Sequence, residues 1–193
     1  DGSVGRIPDS LTTVFHTAAG REVRDGGGIS PDKEVKSEKF PNILFYLVND
    51  NLIFDYATDY CLKHPSIVSV EEFKVTDEDY NEFKEKVKKA DFKYDRQSEK
   101  VLKNLKEVAE FEGYMDDASE EFKALENKLK HNLDRDLDHF AKDIKLLIAQ
   151  EIIKRYYYQA GAIKEQLKSD DDVEEALKIL NDRPEYQKLL AGK

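Results

Sequence analysis

The spacing of the apolar residues changes near Pro41, and this change divides the chain into two parts. Before it, residues 11–17 are β-branched and aromatic, which is typical of a strand. Residues 18–20 (Ala-Ala-Gly) predict a turn, and residues 21–24 predict a second strand that returns beside the first. An isolated hairpin is marginally stable in water, so we expect this one to belong to a larger sheet or to lean on the following helices.

After Pro41 the apolar residues recur at intervals of three and four, which predicts amphipathic helices. The first apolar face covers residues 43–60. Thr76 and Asp79 form a capping pair that opens a second helix. A third helix carries the apolar residues of 101–109, and Gly113 is well placed to terminate it.

Residues 122–152 continue the same spacing, as one long helix or as two helices joined near 132–134, and we favour a break there because helix propensity is weak. Gly161 is expected to interrupt the pattern. The acidic residues 170–172 predict the N-terminus of another helix, and Pro184 the first turn of a last one. The sequence therefore predicts a mainly α protein, in which a β-hairpin remnant (1–40) precedes a bundle of about six helices (41–193).

The amino-acid composition and the net charge exclude several classes of function. Of the 193 residues, 39% are hydrophobic and 37% are charged, and the net charge is −10. Lysines and arginines alternate with carboxylates, so no concentrated basic face is expected and nucleic acid is excluded as a partner. The single cysteine, Cys61, excludes an intrachain disulfide. No apolar run approaches the roughly 20 residues that span a bilayer.

A glycine-rich segment near the N-terminus is the most specific motif. A Gly20-Arg21 turn is followed by a short strand and then by Gly26-Gly27-Gly28-Ile29-Ser30-Pro31-Asp32. This arrangement resembles the end of the catalytic core in the C-terminal processing peptidases, serine peptidases that use a Ser–Lys pair. The resemblance covers about residues 11–35, and the helical remainder looks like the C-terminal extension of Bacteroidetes-type members.

The resemblance implies a role without catalysis for this chain. The family segments that bear the nucleophilic serine and the lysine have no counterpart here, and residue 1 is Asp while the only methionine is Met115. We therefore expect a piece of a longer peptidase, with the Ser–Lys pair upstream and with no catalytic residue, metal or cofactor in the piece itself. The motif residues would be structural: Gly20, Arg21, Gly26, Gly27, Gly28, Ile29, Pro31 and Asp32.

The same resemblance implies a periplasmic or cell-envelope protein whose parent cuts proteins near their C-termini. The expected partners are the protease core of the same parent, protein or peptide substrates through that parent, and a second copy of the chain. The alternative hypothesis is an independent helical module that binds a peptide or protein, and a third is a self-sufficient enzyme.

Three other sequence patterns are only weak matches to a nucleophile, a phosphate-binding loop and a metal site. Ser30 and Lys33 fit the S-x-x-K spacing of a Ser–Lys nucleophile, but Ser30 follows three glycines within the Gly-Ile-x-Pro-Asp segment and occupies its variable position in the resemblance. The glycine run is followed by Ile29, Ser30 and Pro31, which prevent the immediate helix that a phosphate-binding loop requires. His131 and His139 lie eight residues apart, about 12 Å along a helix, which is too far for one metal ion.

Three consecutive tyrosines, Tyr156, Tyr157 and Tyr158, form the last candidate site. Consecutive positions of a helix point in three directions, so the three rings cannot all enter one core. We expect one or two of them to pack inside the bundle and leave the remainder able to face a groove or a partner.

Overall fold

The computed structural model describes residues 7–18, 20–26, 31–36 and 40–191. These residues form a mainly α protein with one small antiparallel sheet near the N-terminus, which confirms the predicted fold class. The sheet is followed by helices for the rest of the described chain. A short 3-10 helix over Asp9–Leu11 precedes it.

The N-terminal hairpin pairs strand β1 (Val14–His16) with strand β2 (Glu22–Arg24). Phe15 is the register partner of Val23. Gly20 closes the turn, since its amide donates to the carbonyl of Thr17 at 2.9 Å and its φ is +79°. A positive φ suits glycine because it has no Cβ. The predicted strand, turn and returning strand are confirmed.

The described residues contain nine α-helices. Their bounds are α1 (Asn42–Asn49), α2 (Leu52–Lys63), α3 (Asp77–Lys89), α4 (Gln97–Phe111), α5 (Met115–Leu129), α6 (Leu133–His139), α7 (Ala141–Leu167), α8 (Asp171–Asn181) and α9 (Arg183–Leu190).

The count exceeds the predicted six because continuous apolar patterns are broken by single residues. Asn51 adopts a left-handed conformation with φ of 59° and separates α1 from α2. Asn132 caps α6 by accepting the amide of Arg135 at 3.0 Å, so the break predicted near 132–134 is confirmed. The apolar residues keep nearly the same spacing across both breaks. The sequence pattern therefore does not show that the backbone changes conformation there.

The predicted caps are also present. Thr76 and Asp79 form a full capping box at the start of α3. Gly113, with φ of +82°, follows the end of α4. Asp170 accepts the amide of Val173 at 3.0 Å, and Pro184 lies in the first turn of α9. Thr76, Gly113 and Asp170 satisfy backbone groups that a helix end leaves without a partner, whereas Pro184 has no N–H that needs one.

The expected interruption at Gly161 was misplaced. The backbone of α7 departs from helical geometry at Tyr158, with φ of 57° and ψ of −161°. Gly161 lies inside the helix and is buried. A Cβ added there would lie 2.4 Å from Cβ of Tyr157 and 2.9 Å from Cγ2 of Ile153. Glycine at this position therefore permits close packing and does not end the helix.

The chain forms two compact units, residues 39–168 and residues 1–38 with 169–193. The first unit holds the hydrophobic core, in which α2 packs on α1, α3 and α7, and α6 packs on α7. Its largest fully buried side chains are Phe83, Ile43, Leu47, Leu137, Ile144, Ile148, Ile152, Ile153 and Val87. The second unit holds the hairpin, α8 and α9. The predicted domain division at residue 40 stays a prediction.

Membrane crossing needs a helix that is both long and apolar. None of the helices in the described part of the chain meets both conditions.

Candidate functional site

The motif residues of the N-terminal segment are joined by an ion pair. The guanidinium of Arg21 contacts the carboxylate of Asp32, which links the Gly-Arg turn to the Pro-Asp end of the motif. Gly26 has φ of +93°, and a Cβ there would lie 3.2 Å from Cδ1 of Ile7. Pro31 is exposed. Gly27, Gly28 and Ile29 lie outside the described residues, so their predicted roles stay predictions.

Lys33, the lysine of the weak S-x-x-K match, has a carboxylate partner. Its Nζ lies 3.4 Å from Oε1 of Glu175 on α8. The hydrogen bond from Lys33, with a second from Lys178, lowers the pKa of Glu175. Ser30 lies outside the described residues. An ammonium paired with a carboxylate is poorly prepared to accept a proton from a serine, so this contact favours a structural role for Lys33.

Two of the three consecutive tyrosines bond to the α2–α3 link (residues 64–76). The hydroxyl of Tyr156 donates to the carbonyl of His64, and that of Tyr157 donates to the carbonyl of Val68 at 3.1 Å. Burial, with a contribution from Cys61, raises the pKa of Tyr156 to about 12. Both rings therefore hold the link against α7.

Tyr158 is placed differently, since its side chain is 79% exposed and its backbone departs from the helix. Its predicted partner-facing role stays a prediction. The departure lets the same helix present residues 156 and 157 to the link while the next ring points to solvent.

The α2–α3 link is also held further along α7. Lys168 donates to the carbonyl of Val70 and forms an ion pair with Glu165. Glu165 is only 6% exposed, and its Oε2 has no hydrogen-bond partner of good geometry. Lys164 adds a more exposed contact to Glu71 at 3.5 Å. A buried carboxylate is costly unless it is paired, so Lys168 is needed both for Glu165 and for the link.

A second polar cluster lies around Asp136 at the start of α6. The hydroxyl of Tyr94 donates to Oδ2 of Asp136 at 2.8 Å, and Arg135 lies 3.4 Å from Oδ1. Nε2 of His131 is 4.0 Å from Oδ2, and its ring meets the ring of Tyr94 edge-on. Burial and the hydrogen bond to Asp136 raise the pKa of Tyr94. His131 is thus a neighbour of a structural carboxylate.

The other predicted histidine is placed apart from this cluster, since the ring of His139 meets that of Phe140. Within the described residues, no group of three or more His, Cys, Asp and Glu side chains could hold a metal ion. The candidate groups lie in separate contacts, with His131 beside Asp136, His139 beside Phe140 and Lys33 beside Glu175.

The hairpin of α4 and α5 carries a group of exposed apolar residues. The two helices are antiparallel, since Lys106 meets Glu126 at 2.6 Å and Arg96 donates to the carbonyl of Leu129 at 2.6 Å. On α4 only Leu102 and Ala109 are buried. Four other apolar residues of that helix, with one of α5, are at least 41% exposed, and we call them the apolar stripe: Val101, Leu105, Val108, Phe111 and Leu125.

The apolar stripe and a groove lined mainly by charged residues lie on different faces of this hairpin. The groove, of about 680 Å³, is lined by charged residues that include Lys103, Lys106, Glu110 and Glu126. On an α-helix, positions 101, 105 and 108 form one row, whereas 103, 106 and 110 lie at least a quarter turn away. The sequence indicated an apolar face on α4, but it did not show that α5 would cover so little of that face.

The helical part of the chain matches a known family. The family model is described as "Probable PDZ-protease, C-terminal helical domain" and covers residues 43–180. No curated protein and no solved structure matches the chain. The matched residues run from the start of α1 to the last turn of α8, which includes the stripe, the Asp136 cluster and the three tyrosines. The chain therefore belongs to the family of C-terminal helical domains of PDZ-protease-like proteins.

Proposed function

We propose that this chain acts as the non-catalytic C-terminal region of a periplasmic or cell-envelope serine-type endopeptidase that processes proteins near their C-termini. The observation that carries the proposal is the family match over residues 43–180. In the proposal, the catalytic serine and lysine belong to the protease core of the parent protein. This chain contributes a structural, regulatory or interaction module and needs no cofactor.

The motif geometry supports the serine-peptidase part of the proposal. Arg21 and Asp32 are the charged residues of the motif, and their ion pair holds its two ends together. Positive φ values at Gly20 and Gly26 explain why glycine is needed at those positions. These residues would fix the edge of the protease core from which the helices begin.

The helical unit supports the module part. Tyr156, Tyr157 and Lys168 secure the α2–α3 link, so the bundle forms a rigid platform. The α4–α5 hairpin extends a less buried, apolar surface from that platform. Contiguous exposed apolar surface marks a contact site for another molecule. The alternative of an independent binding module stays a prediction, and the family match favours a domain within a protease.

Peptidase assays on an unstructured protein with an apolar C-terminus test the proposal. We would compare the full-length parent, the parent truncated before Pro41, and this chain alone. We expect the parent to cleave the substrate and this chain to be inactive. The truncated parent separates a role in catalysis from a role in stability. If the helices only stabilise the protease core, the truncated parent keeps its kcat while its thermal midpoint falls.

Variants of the motif provide matched controls. Arg21→Gln and Asp32→Asn in the parent remove the same ion pair from either side, so a structural role predicts similar losses for both and no further loss for the double variant. Lys33→Gln, made in this chain, tests the S-x-x-K reading. Substrate cleavage by this chain, abolished in Lys33→Gln, would overturn the proposal, and fractionation of the parent with the cytoplasm would overturn its location.

A further inference from the structure

The α4–α5 hairpin carries opposite charges at its two ends. Residues 107–121, which include the turn and form the tip, contain seven Asp and Glu and no Lys or Arg. The base, residues 97–106 and 122–130, contains six Lys and two Glu. The contacts of Lys106 with Glu126 and of Arg96 with Leu129 place both base segments at the same end.

The apolar stripe runs along this charged axis. Val101 and Leu125 belong to the base, Leu105 lies near the middle, and Val108 and Phe111 belong to the tip. Phe111 is 92% exposed and Val101 is 63% exposed, so neither has adequate cover within the chain. Contiguous exposed apolar surface of this kind marks a contact with another molecule.

We propose that the stripe is covered by the stripe of a second copy of this chain, packed in antiparallel orientation about a two-fold axis. In this arrangement the acidic tip of each hairpin lies over the basic base of the other, and the four helices form a bundle. The charge pattern selects this occupant, because a hairpin with an acidic tip and a basic base is complementary to itself only when the two copies are antiparallel.

The dimensions of the hairpin set the strength of the contact. Each helix has 15 residues, about 22 Å, and two adjacent helices are about 20 Å wide. The footprint is thus about 440 Å² per copy, below the roughly 800 Å² per partner of a standard stable interface. We therefore expect a reversible dimer with a dissociation constant in the micromolar range or weaker.

Sedimentation equilibrium of the full chain over a range of micromolar loading concentrations tests the proposal. We expect a monomer–dimer equilibrium in the wild-type chain and a dissociation constant at least about tenfold higher in Leu105→Glu and in Val101→Glu. Leu62→Glu is the matched control, since Leu62 is an 81% exposed apolar residue on α2, outside the hairpin. Circular dichroism checks that every variant retains its helix content.

Charge reversal gives a sharper test of the antiparallel arrangement. One variant makes the tip basic, with four lysines against three acidic residues, through the changes Glu107→Lys, Glu110→Lys, Glu120→Lys and Glu121→Lys. A second variant makes the base acidic, with five glutamates against three lysines, through the changes Lys100→Glu, Lys103→Glu and Lys128→Glu. Each of these variants alone places like charges together and should be monomeric. Their mixture places opposite charges together at both ends and should restore the dimer.

Three outcomes would overturn the proposal. They are a monomer at every concentration, a dimer that Leu105→Glu leaves unchanged, and charge-reversed variants whose mixture stays monomeric. Burial of the apolar stripe that occurs only when the protease core is added would also overturn the proposal, because the core and not a second copy would then cover the stripe. The test of the dimer measures a mass, and the test of the proposed function measures a peptidase activity. Failure of one proposal is therefore distinguishable from failure of the other.

Discussion

Tyr94 donates a hydrogen bond to Asp136, with its hydroxyl oxygen 2.8 Å from Oδ2 of the carboxylate. Tyr94 precedes α4 and Asp136 lies in α6, so the bond joins both ends of the α4–α5 hairpin to the bundle. Asp136 is only 6% exposed, and a buried carboxylate depends on its donors. The base of the hairpin is therefore fixed, while its outer faces remain open to solvent.

Tyr94→Phe is expected to lower the free energy of unfolding by about 1.5–3 kcal/mol, because it removes one donor from a buried charged group. Denaturant unfolding followed by circular dichroism measures the change. Tyr114→Phe is the control, since Tyr114 is 61% exposed, and its effect should be close to zero. In the Asp136→Asn background the loss from Tyr94→Phe should shrink; an undiminished loss would mean that the carboxylate is not the reason.

Gly161→Ala is expected to destabilise the protein by about 1–3 kcal/mol. An alanine Cβ would lie 2.4 Å from Cβ of Tyr157, which is closer than two side-chain carbons can approach. Helix propensity alone predicts a gain of about 1 kcal/mol for the same change, so the sign of the measured difference separates the two effects. Thermal and denaturant unfolding of the variant both report that sign.

Ala160→Gly, at an exposed position next to it, is the matched control. Propensity predicts that this variant loses about 1 kcal/mol, since no close contact intervenes there. A stabilised Gly161→Ala variant would show that the helix has room at position 161 and that the close packing against Tyr157 is incorrect.

The helix ends and Gly161 show what the sequence could and could not predict. Local signals identified the hairpin, the Thr76–Asp79 capping box and the break before α6, because each depends on residues a few positions apart. Gly161 was expected to interrupt a helix because glycine has a low intrinsic propensity. Its close approach to Ile153 and Tyr157, which lie in the same helix, depends on the non-helical backbone at Tyr158.

The apolar stripe shows a different limit. Positions 101, 102, 105, 108 and 109 predicted one apolar face on α4, and the helix is present. Only Leu102 and Ala109 are buried, because α4 packs chiefly against one helix, α5. Periodicity shows which side of a helix is apolar, but the number of helices that cover it is set by tertiary contacts. The hydrogen bond between Tyr94 and Asp136 is likewise set by tertiary contacts, because the two residues are 42 positions apart in the sequence.

Tyr158→Gly is expected to stabilise the protein by about 1 kcal/mol. Tyr158 has φ of 57° and ψ of −161°, a conformation that costs a residue with a Cβ about 1–3 kcal/mol and that glycine adopts freely. The side chain is 79% exposed, so little packing is lost, and the greater entropy of glycine in the unfolded chain offsets part of the gain. Denaturant unfolding measures the change.

Tyr158→Ala separates backbone strain from side-chain effects. Alanine keeps the Cβ and therefore the strain, so we expect no gain from this variant. Equal stabilisation by alanine and glycine would attribute the effect to removal of the exposed ring. If the strained tyrosine instead serves a partner, both variants would weaken that interaction while differing in stability.

Alkaline pH is expected to destabilise the helical unit through its buried tyrosines. Burial raises the pKa values of Tyr56, Tyr80 and Tyr94 above the ordinary value of 10.0. The unfolded phenols therefore ionise first, and the unfolded state binds fewer protons as the pH rises. The stabilisation is fully present below pH 10 and is lost above it, by up to about 1.4 kcal/mol per pH unit for each tyrosine.

Tyr80→Phe isolates one of these contributions. The hydroxyl of Tyr80 donates to the carbonyl of Leu137 at 2.6 Å, so the variant should be about 1 kcal/mol less stable at pH 7. Above pH 10 the wild-type chain should lose stability faster than the variant, and the difference should shrink, because lysine titration is common to both proteins. Unfolding curves at several pH values test this, with the exposed Tyr158→Phe as control. A difference between wild type and Tyr80→Phe that stays constant from pH 7 to pH 12 would show that Tyr80 ionises equally in the folded and unfolded states.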